Sequence, residues 1–364
     1  MGKYTAIDDP SAYFQTALYA GTGSAQSITN DGNSDLQPDF IWIKSRTDGT
    51  ANHHAHNTNV PTTRTLFVNK SDFEETQSQS VTSIQSDGFT LGTWGGNNAA
   101  SNNFVAWQWK ANGGTTSSNT DGSITSTVQA NQDAGFSIVT YTGTGSAATV
   151  GHGLGVAPKV IIVKARSGVP TSWAVFHKDG STSDDDTFVL NSTAAKATYA
   201  GFWNNQYPSS SVFGISNDIW LNGNGVNFVA YCFAEKQGYS KFGKYVGNGN
   251  SLGDGPFVYT GFAPSFVIIK RTDAANDWIM HTYKLGTKAS SAVEKGNVGN
   301  LNNAALRANS NSFVDDWGAI DMLSNGFKIR TDAASENTSG GSYIYMAFAE
   351  NPFTTSTGIP TTAR

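Results

Sequence analysis

The sequence predicts an all-β protein made of three tandem β-sandwich domains of a jelly-roll kind. Three observations carry that expectation. Aromatic residues make up 12% of the chain and charged residues only 14%, alongside 39 glycines. Aromatic and β-branched side chains suit a pleated surface, and Gly and Asn suit tight turns. Strand-like runs recur about every 8–12 residues, the spacing of a sandwich or barrel. The runs also repeat in order: "PDFIWIKSR" begins at Pro38, "PKVIIVKAR" at Pro158 and "PSFVIIKRT" at Pro264.

Each copy opens on an aromatic strand: "FQTALYAGTGS" from Phe14, "FSIVTYTGTGS" from Phe136 and "YSKFGKYVGNGNS" from Tyr239. The proline strand follows, and a proline at its first residue removes no ladder donor. Its period of two places Val160, Ile162, Phe266 and Ile268 on the face that Phe40 and Trp42 occupy. It closes on basic pairs, Lys44 with Arg46, Lys164 with Arg166, and Lys270 with Arg271. Next come "TRTLFVN", "DTFVLN" and "AALRAN", ending at Asn69, Asn191 and Asn309. Strands around Phe89, Phe213 and Phe327 follow, and each copy ends on an aromatic strand through Trp109, Glu235 or Glu350. Propeller blades, at about 40–50 residues, would be shorter than these copies of roughly a hundred.

The implied organisation is an N-terminal arm over 1–13 and sandwich repeats over 14–112, 135–237 and 238–353. A linker over 113–134 has a strand-like second half, "SITSTVQA", that suits pairing with the second copy. A loose tail covers 354–364.

The 23 basic and 28 acidic residues give a formal charge of −5. No basic stripe is visible, so nucleic acid is not an expected partner. No run approaches the roughly 18 apolar residues of a membrane span, so membrane insertion is not expected, and the N-terminus lacks the apolar core of a signal peptide. Cys232, the single cysteine, lies in the apolar run "NFVAYCFAE" and reads as a buried thiol. The acidic runs at 184–186 and 315–316 read as solvated loops.

Two groups of residues are candidate sites. Trp173 with His177, and Trp278 with His281, could form sugar-binding platforms on which an indole stacks against a pyranose ring. The competing reading is a tryptophan packed between sheets, because folding constraints recur in every copy and a ligand site need not. The first copy has His53, His54 and His56 in the same place. Along a strand His54 and His56 share a face, which suits two imidazole ligands to a metal. An enzyme is not expected: no pair of carboxylates recurs between copies, and no nucleophile elbow, phosphate loop or zinc-protease motif is present. No cofactor is implied.

The segments "DDPSAYFQT" at 8–16, "FSIVTYTGTGSAATVGHGLGVAPKVIIVKAR" at 136–166, and "PSFVIIKRT" with "YIYMAFAENPF" in the third copy resemble a repeated domain of marine bacteriophage virion proteins, tail or fibre components. In the first copy "NDGNSDLQ" replaces the "GHGLG" element of the second. The resemblance implies a concanavalin- or lectin-like sandwich in a phage structural protein displayed on the virion. It brings no catalytic residues. The function expected from it is attachment to host cell-surface polysaccharide by a tail fibre or other appendage. The alternative is a head-decoration or tail-assembly part whose repeats contact neighbouring virion proteins. A homotrimer is the expected assembly, held through the sandwich faces, the arm or the linker, since no coiled-coil or collagen-like stalk is present.

Overall fold

A computed structural model describes residues 6–250, 254–286, 301–316 and 318–351. The expected tail over 354–364 lies outside them, as do residues 1–5 of the arm. Strands hold 40% of the chain and helices 4%, so the protein is all-β, as its composition led one to expect.

The first segment contains β1 (Phe14–Ala20), β2 (Gln26–Ile28), β3 (Phe40–Ser45), β4 (His53–Asn57), β5 (Arg64–Phe67), β6 (Glu75–Thr76), β7 (Val81–Ile84), β8 (Phe89–Leu91) and β9 (Asn103–Trp109). The second contains β10 (Ser117–Asn119), β11 (Ser126–Asn131), β12 (Phe136–Thr142), β13 (Ala148–Gly151), β14 (Val160–Ala165), β15 (Ala174–His177), β16 (Asp186–Val189), β17 (Ala197–Thr198), β18 (Val212–Ile215) and β19 (Asn227–Phe233). The third contains β20 (Ser240–Val246), β21 (Phe257–Tyr259), β22 (Phe266–Arg271), β23 (Trp278–Thr282), β24 (Leu301–Asn302), β25 (Ala305–Arg307), β26 (Ile320–Leu323), β27 (Gly326–Ile329) and β28 (Ser342–Phe348).

Each segment pairs a large sheet with a small one. The large sheets run β1-β9-β3-β4-β5-β6, β10-β11-β12-β19-β14-β15-β16-β17 and β20-β28-β22-β23-β25. The small ones run β2-β8-β7, β13-β18 and β21-β27-β26-β24. In every large sheet the opening strand lies beside the closing aromatic strand, which lies beside the proline-led strand. The prolines stand two residues ahead of the ladder, at Pro38, Pro158 and Pro264, so none interrupts it.

The proline-led strands are buried on both faces, and their alternation sorts side chains between two cores. Phe40, Trp42, Val160, Ile162, Phe266 and Ile268 enter one cluster drawn from all three segments. Their neighbours Ile41 and Ile43, Ile161 and Val163, and Val267 and Ile269 enter the separate interiors of the three sandwiches. The shared cluster has a threefold-like centre. Trp109, Phe233 and Phe348 hold corresponding places at the ends of β9, β19 and β28, opposite Phe14, Phe136 and Ser240. Their rings lie 6.5, 5.8 and 5.6 Å apart pairwise. Full burial of one such side chain contributes on the order of 2–3 kcal/mol.

The seams between segments close into a ring. The backbone N–H of Glu74 donates to Arg166 O (3.1 Å), that of Lys196 to Thr272 O (2.9 Å) and that of Val314 to Arg46 O (3.0 Å). These join the first segment to the second, the second to the third and the third back to the first. Lys164 Nζ crosses to Ser71 O (2.8 Å) and Lys270 Nζ to Thr193 O (2.9 Å). Lys44 instead bonds the carbonyls of Ser45 and Asp48 in its own segment. Burial pushes these ammonium groups down, to about 8 at Lys44, about 7 at Lys164 and about 8 at Lys270.

The linker is not a free tether. Asp39 accepts the N–H groups of Ala111, Gly113 and Gly114 at 2.7–2.8 Å. β11 then pairs with β12 over five residues, and β10 pairs with β11. The described part of the arm also lies against this chain: Ala6 N–H donates to Gln237 O (3.2 Å), and the Tyr13 and Tyr239 rings are 6.0 Å apart. The proline-led strands at the middle of the large sheets are buried on both faces, whereas β6 and β10 at their margins are exposed.

Candidate functional site

Trp173 and Trp278 sit at equivalent points, opposite the buried lysine of the proline-led strand, and are 1% and 3% exposed. Each indole spans a seam: Trp173 Nε1–H donates to Phe67 O and Trp278 Nε1–H to Val189 O, both at 2.9 Å. Their backbone N–H groups donate to Asn191 and Asn309, as that of His53 does to Asn69. The expected sugar platforms are therefore corrected: a ring with no exposed face cannot stack on a saccharide. His53 takes the tryptophan position in the first segment. Trp42 Nε1–H donates to its Nδ1 (2.9 Å), and burial, with Lys44 and His54 nearby, holds it well below the usual histidine range against the Arg307 and Ser310 carbonyls.

His177 and His281 are not equivalent. His177 lies opposite Val160, on the shared-core face, and His281 opposite Val267, on the sandwich face. Parity in the sequence carried this signal, because the tryptophan precedes the histidine by four residues in one copy and three in the other. His177 Nε2–H donates to Tyr345 O (3.1 Å), and burial lowers its pKa to about 4.

His54 and His56 do share a face, inside the first sandwich. His54 Nδ1–H donates to Asn97 Oδ1 (2.7 Å). His56 Nδ1 lies between the carbonyls of Thr62 (3.0 Å) and Arg64 (3.1 Å), so its proton sits there. Its Nε2 then accepts from Ser80 Oγ and Asn97 Nδ2 at 3.2 and 3.3 Å. Burial lowers the two pKa values to about 3 and about 4. The pair is wired into a hydrogen-bond network, and among the described residues no third His, Cys, Asp or Glu joins them to hold a metal.

The same interior position differs between segments. His56, Phe176 and His281 lie opposite Ile41, Ile161 and Val267. Facing elements end in Asn98, Asn222 and Asn337, each accepting the N–H of an early loop residue, Thr22, Thr144 or Asn248. The residues just before them are Asn97, Leu221 and Glu336. In the third segment His281 Nε2 meets Glu336 Oε1 at 2.6 Å, both side chains wholly buried, with Asn302 Oδ1 3.3 Å from Nδ1. Among the described residues Glu336 Oε2 has no hydrogen-bond partner, and a Cβ at Gly318 would stand 1.7 Å from it. The pair fixes the interior and has no exposed atom with which to act on a ligand.

The exposed candidate was missed in the sequence. Asp185 and Asp186, read there as solvated, are 4% and 0% exposed. Asp185 accepts the N–H groups of Gly201 (2.6 Å), Trp203 (3.1 Å) and Asn205 (3.3 Å), which shapes the loop between β17 and β18. Asn204 and Asn205 there take φ of 59° and 51°, a region that asparagine tolerates better than other side chains. Burial opposes ionisation of Asp186, but the Lys196 ammonium, the Thr198 hydroxyl and the N–H groups of Thr182 and Ser183 hold it well below the usual carboxylate range. The loop presents Tyr199 and Tyr207, 49% and 39% exposed. Tyr199 packs on Phe202 (5.8 Å), which reaches Trp220 (6.3 Å), and Lys178 Nζ sits 3.0 Å over the Tyr207 ring. Braced, exposed rings beside asparagine amides can stack on and hydrogen-bond a polyhydroxylated ligand.

Cys232 is fully buried, and burial pushes its thiol up to about 12, against a hydrogen bond with Ser137. No helix among the described residues is long and apolar enough to cross a membrane. No curated protein and no solved structure matches the chain. One family model does, over residues 9–352 and through all three segments, and the chain belongs to that family, the domain of unknown function DUF7483.

Proposed function

We propose that the chain is a non-enzymatic structural protein of a phage particle, in a tail fibre or other host-facing appendage, that binds host surface glycans. The observation carrying this reading is the Asp185-braced loop, whose fixed backbone holds Tyr199 and Tyr207 outward and so lowers the ordering cost of binding. The likeness of residues 136–166 to virion proteins supports the setting. We read 14–112, 135–237 and 238–353 as tandem copies of one domain, the last two residues lying outside the described ones. The recurring strand order supports this, and superposition of the large sheets tests it. A homotrimer would present the loop three times and raise avidity through effective concentration. Binding of the protein to a panel of bacterial surface polysaccharides tests the glycan reading. Tyr199→Ala with Tyr207→Ala should weaken the strongest interaction about tenfold, near 1.4 kcal/mol, and leave the melting temperature unchanged. Unaltered binding by that variant overturns the site. The alternative of an assembly component is favoured by a different observation, an uncovered strand edge.

A further inference from the structure

Corresponding strand edges at the three seams are closed in different ways. At the first seam β12 carries β11, with Thr127 opposite Thr140 and Gln129 opposite Ile138. Asn59 Nδ2 also donates to Ile138 O (3.0 Å) and Thr127 O (3.2 Å). Where the third segment meets the first, Lys284 Nζ donates to Thr16 O (2.7 Å), the Glu350 carboxylate takes the Thr16 N–H, and Gln26 Nε2 donates to Ala20 O (3.0 Å).

The seam between the second and third segments departs from both. Asn57, His177 and Thr282 are equivalent, so Asp179 stands where Asn59 and Lys284 stand. An ionised carboxylate cannot donate to the carbonyl edge. Phe242 N–H instead donates to Glu235 Oε1 (2.8 Å), which shows that Phe242 faces outward along β20. By strand alternation Lys244 and Val246 face outward too, and their backbone groups have no partner on that side among the described residues. A groove of about 330 Å³ lies alongside, lined by Asp179, Thr182, Lys196, Lys244, Val246 and Asp273. Lys196, Asp179 and Asp273 are already paired with Asp186, Lys159 and Arg271. Lys244 is the charge in the groove with no ion pair among the described residues.

We propose that this edge takes an added strand from a neighbouring protein chain. An extended, hydroxyl-rich segment pairs antiparallel with β20 at Lys244 and Val246, as β11 pairs with β12, and sets a carboxylate against Lys244. Outward backbone groups two residues apart, about 6.7 Å, match the period of a strand, and main-chain bonds of this kind are a general mode of peptide recognition. The edge of β12, occupied within the same molecule, shows which ligand geometry the slot accepts. The inference does not depend on the glycan loop.

The probes are two synthetic peptides: SITSTVQAN, the sequence of 123–131, and the same peptide with Thr127→Glu, which places a carboxylate at the position facing Lys244. Calorimetric titration into the full chain should show the acidic peptide binding about tenfold more tightly. Lys244→Ala should remove that difference. Val246→Pro, which deletes an outward N–H without touching the inner ladder, should abolish binding of both, and its circular dichroism should match the parent. No binding at millimolar peptide overturns the proposal, as does an undiminished preference for the acidic peptide in Lys244→Ala. So does a groove that binds an oligosaccharide and ignores both peptides. Lys244→Ala decides the matter even where the proline variant fails to fold.

Discussion

In the first sandwich His56 meets Asn97 and Ser80 across the interior, whereas in the second the equivalent positions hold Phe176 and Leu221. The third has a wholly buried His281–Glu336 pair. One strand framework thus tolerates an uncharged polar network, an apolar contact and a histidine–carboxylate pair at one place. The backbone cannot require any of the three, because the strand pairing at this place corresponds in all of them. A buried polar group that loses its partner costs about 1–3 kcal/mol, and more when charged.

The comparison can be broken most forcefully in the third segment. His281→Phe leaves the Glu336 carboxylate buried without its partner and should cost about 3–5 kcal/mol in urea unfolding. Adding Glu336→Leu, which copies the second segment, should recover most of that loss. A double variant no more stable than the single would show that the interiors are not interchangeable.

Acid is a second perturbation, spread over three imidazoles. His54, His56 and His177 are held neutral, with folded pKa values of about 3, 4 and 4, while an unfolded histidine titrates near 6.5. Below that value the unfolded chain takes up protons that the fold refuses. Stability present above about pH 6.5 is therefore lost as the pH falls toward 4, by about 3 kcal/mol for each imidazole. Denaturation midpoints across pH 4–7 should show this slope, and it should be shallower in His56→Phe with Asn97→Leu. A flat profile would mean that these rings are protonated in the fold.

The smallest effect is expected in the first segment at neutral pH. His56→Phe alone removes the ring N–H from the Thr62 and Arg64 carbonyls and an acceptor from Ser80 and Asn97, which keep their 2.6 Å bond to each other, and should cost about 1–3 kcal/mol. With Asn97→Leu present the cost should shrink, giving a coupling of about 0.5–3 kcal/mol in a double-mutant cycle. Strict additivity would place the two side chains out of contact.

The strand pattern, the face shared by Phe40, Trp42, Val160 and Ile162, and the burial of Cys232 were legible because each follows from local periodicity and composition. The placement of the tryptophans was only half legible: repetition pointed to packing, but nothing local says that an indole N–H reaches a carbonyl of the preceding segment. His281 was grouped with His177 because nearness in sequence hid a one-residue difference in parity. Asp185 and Asp186 read as solvent-facing because acidic runs usually are. The partners that bury them, the N–H groups of residues 201, 203 and 205 and the Lys196 ammonium, come from a loop whose path the sequence does not state. By itself, then, the sequence determined an all-β chain, its strands and their facing, since these depend on residues a few positions apart. Only the tertiary structure decided that the three segments close into a ring around Trp109, Phe233 and Phe348, that among the described residues the outward groups of Lys244 and Val246 have no partner, and which aromatic side chains remain outside. Those outcomes depend on contacts between residues tens to hundreds of positions apart, where side-chain shape and hydrogen-bond complementarity select among arrangements that one local pattern permits.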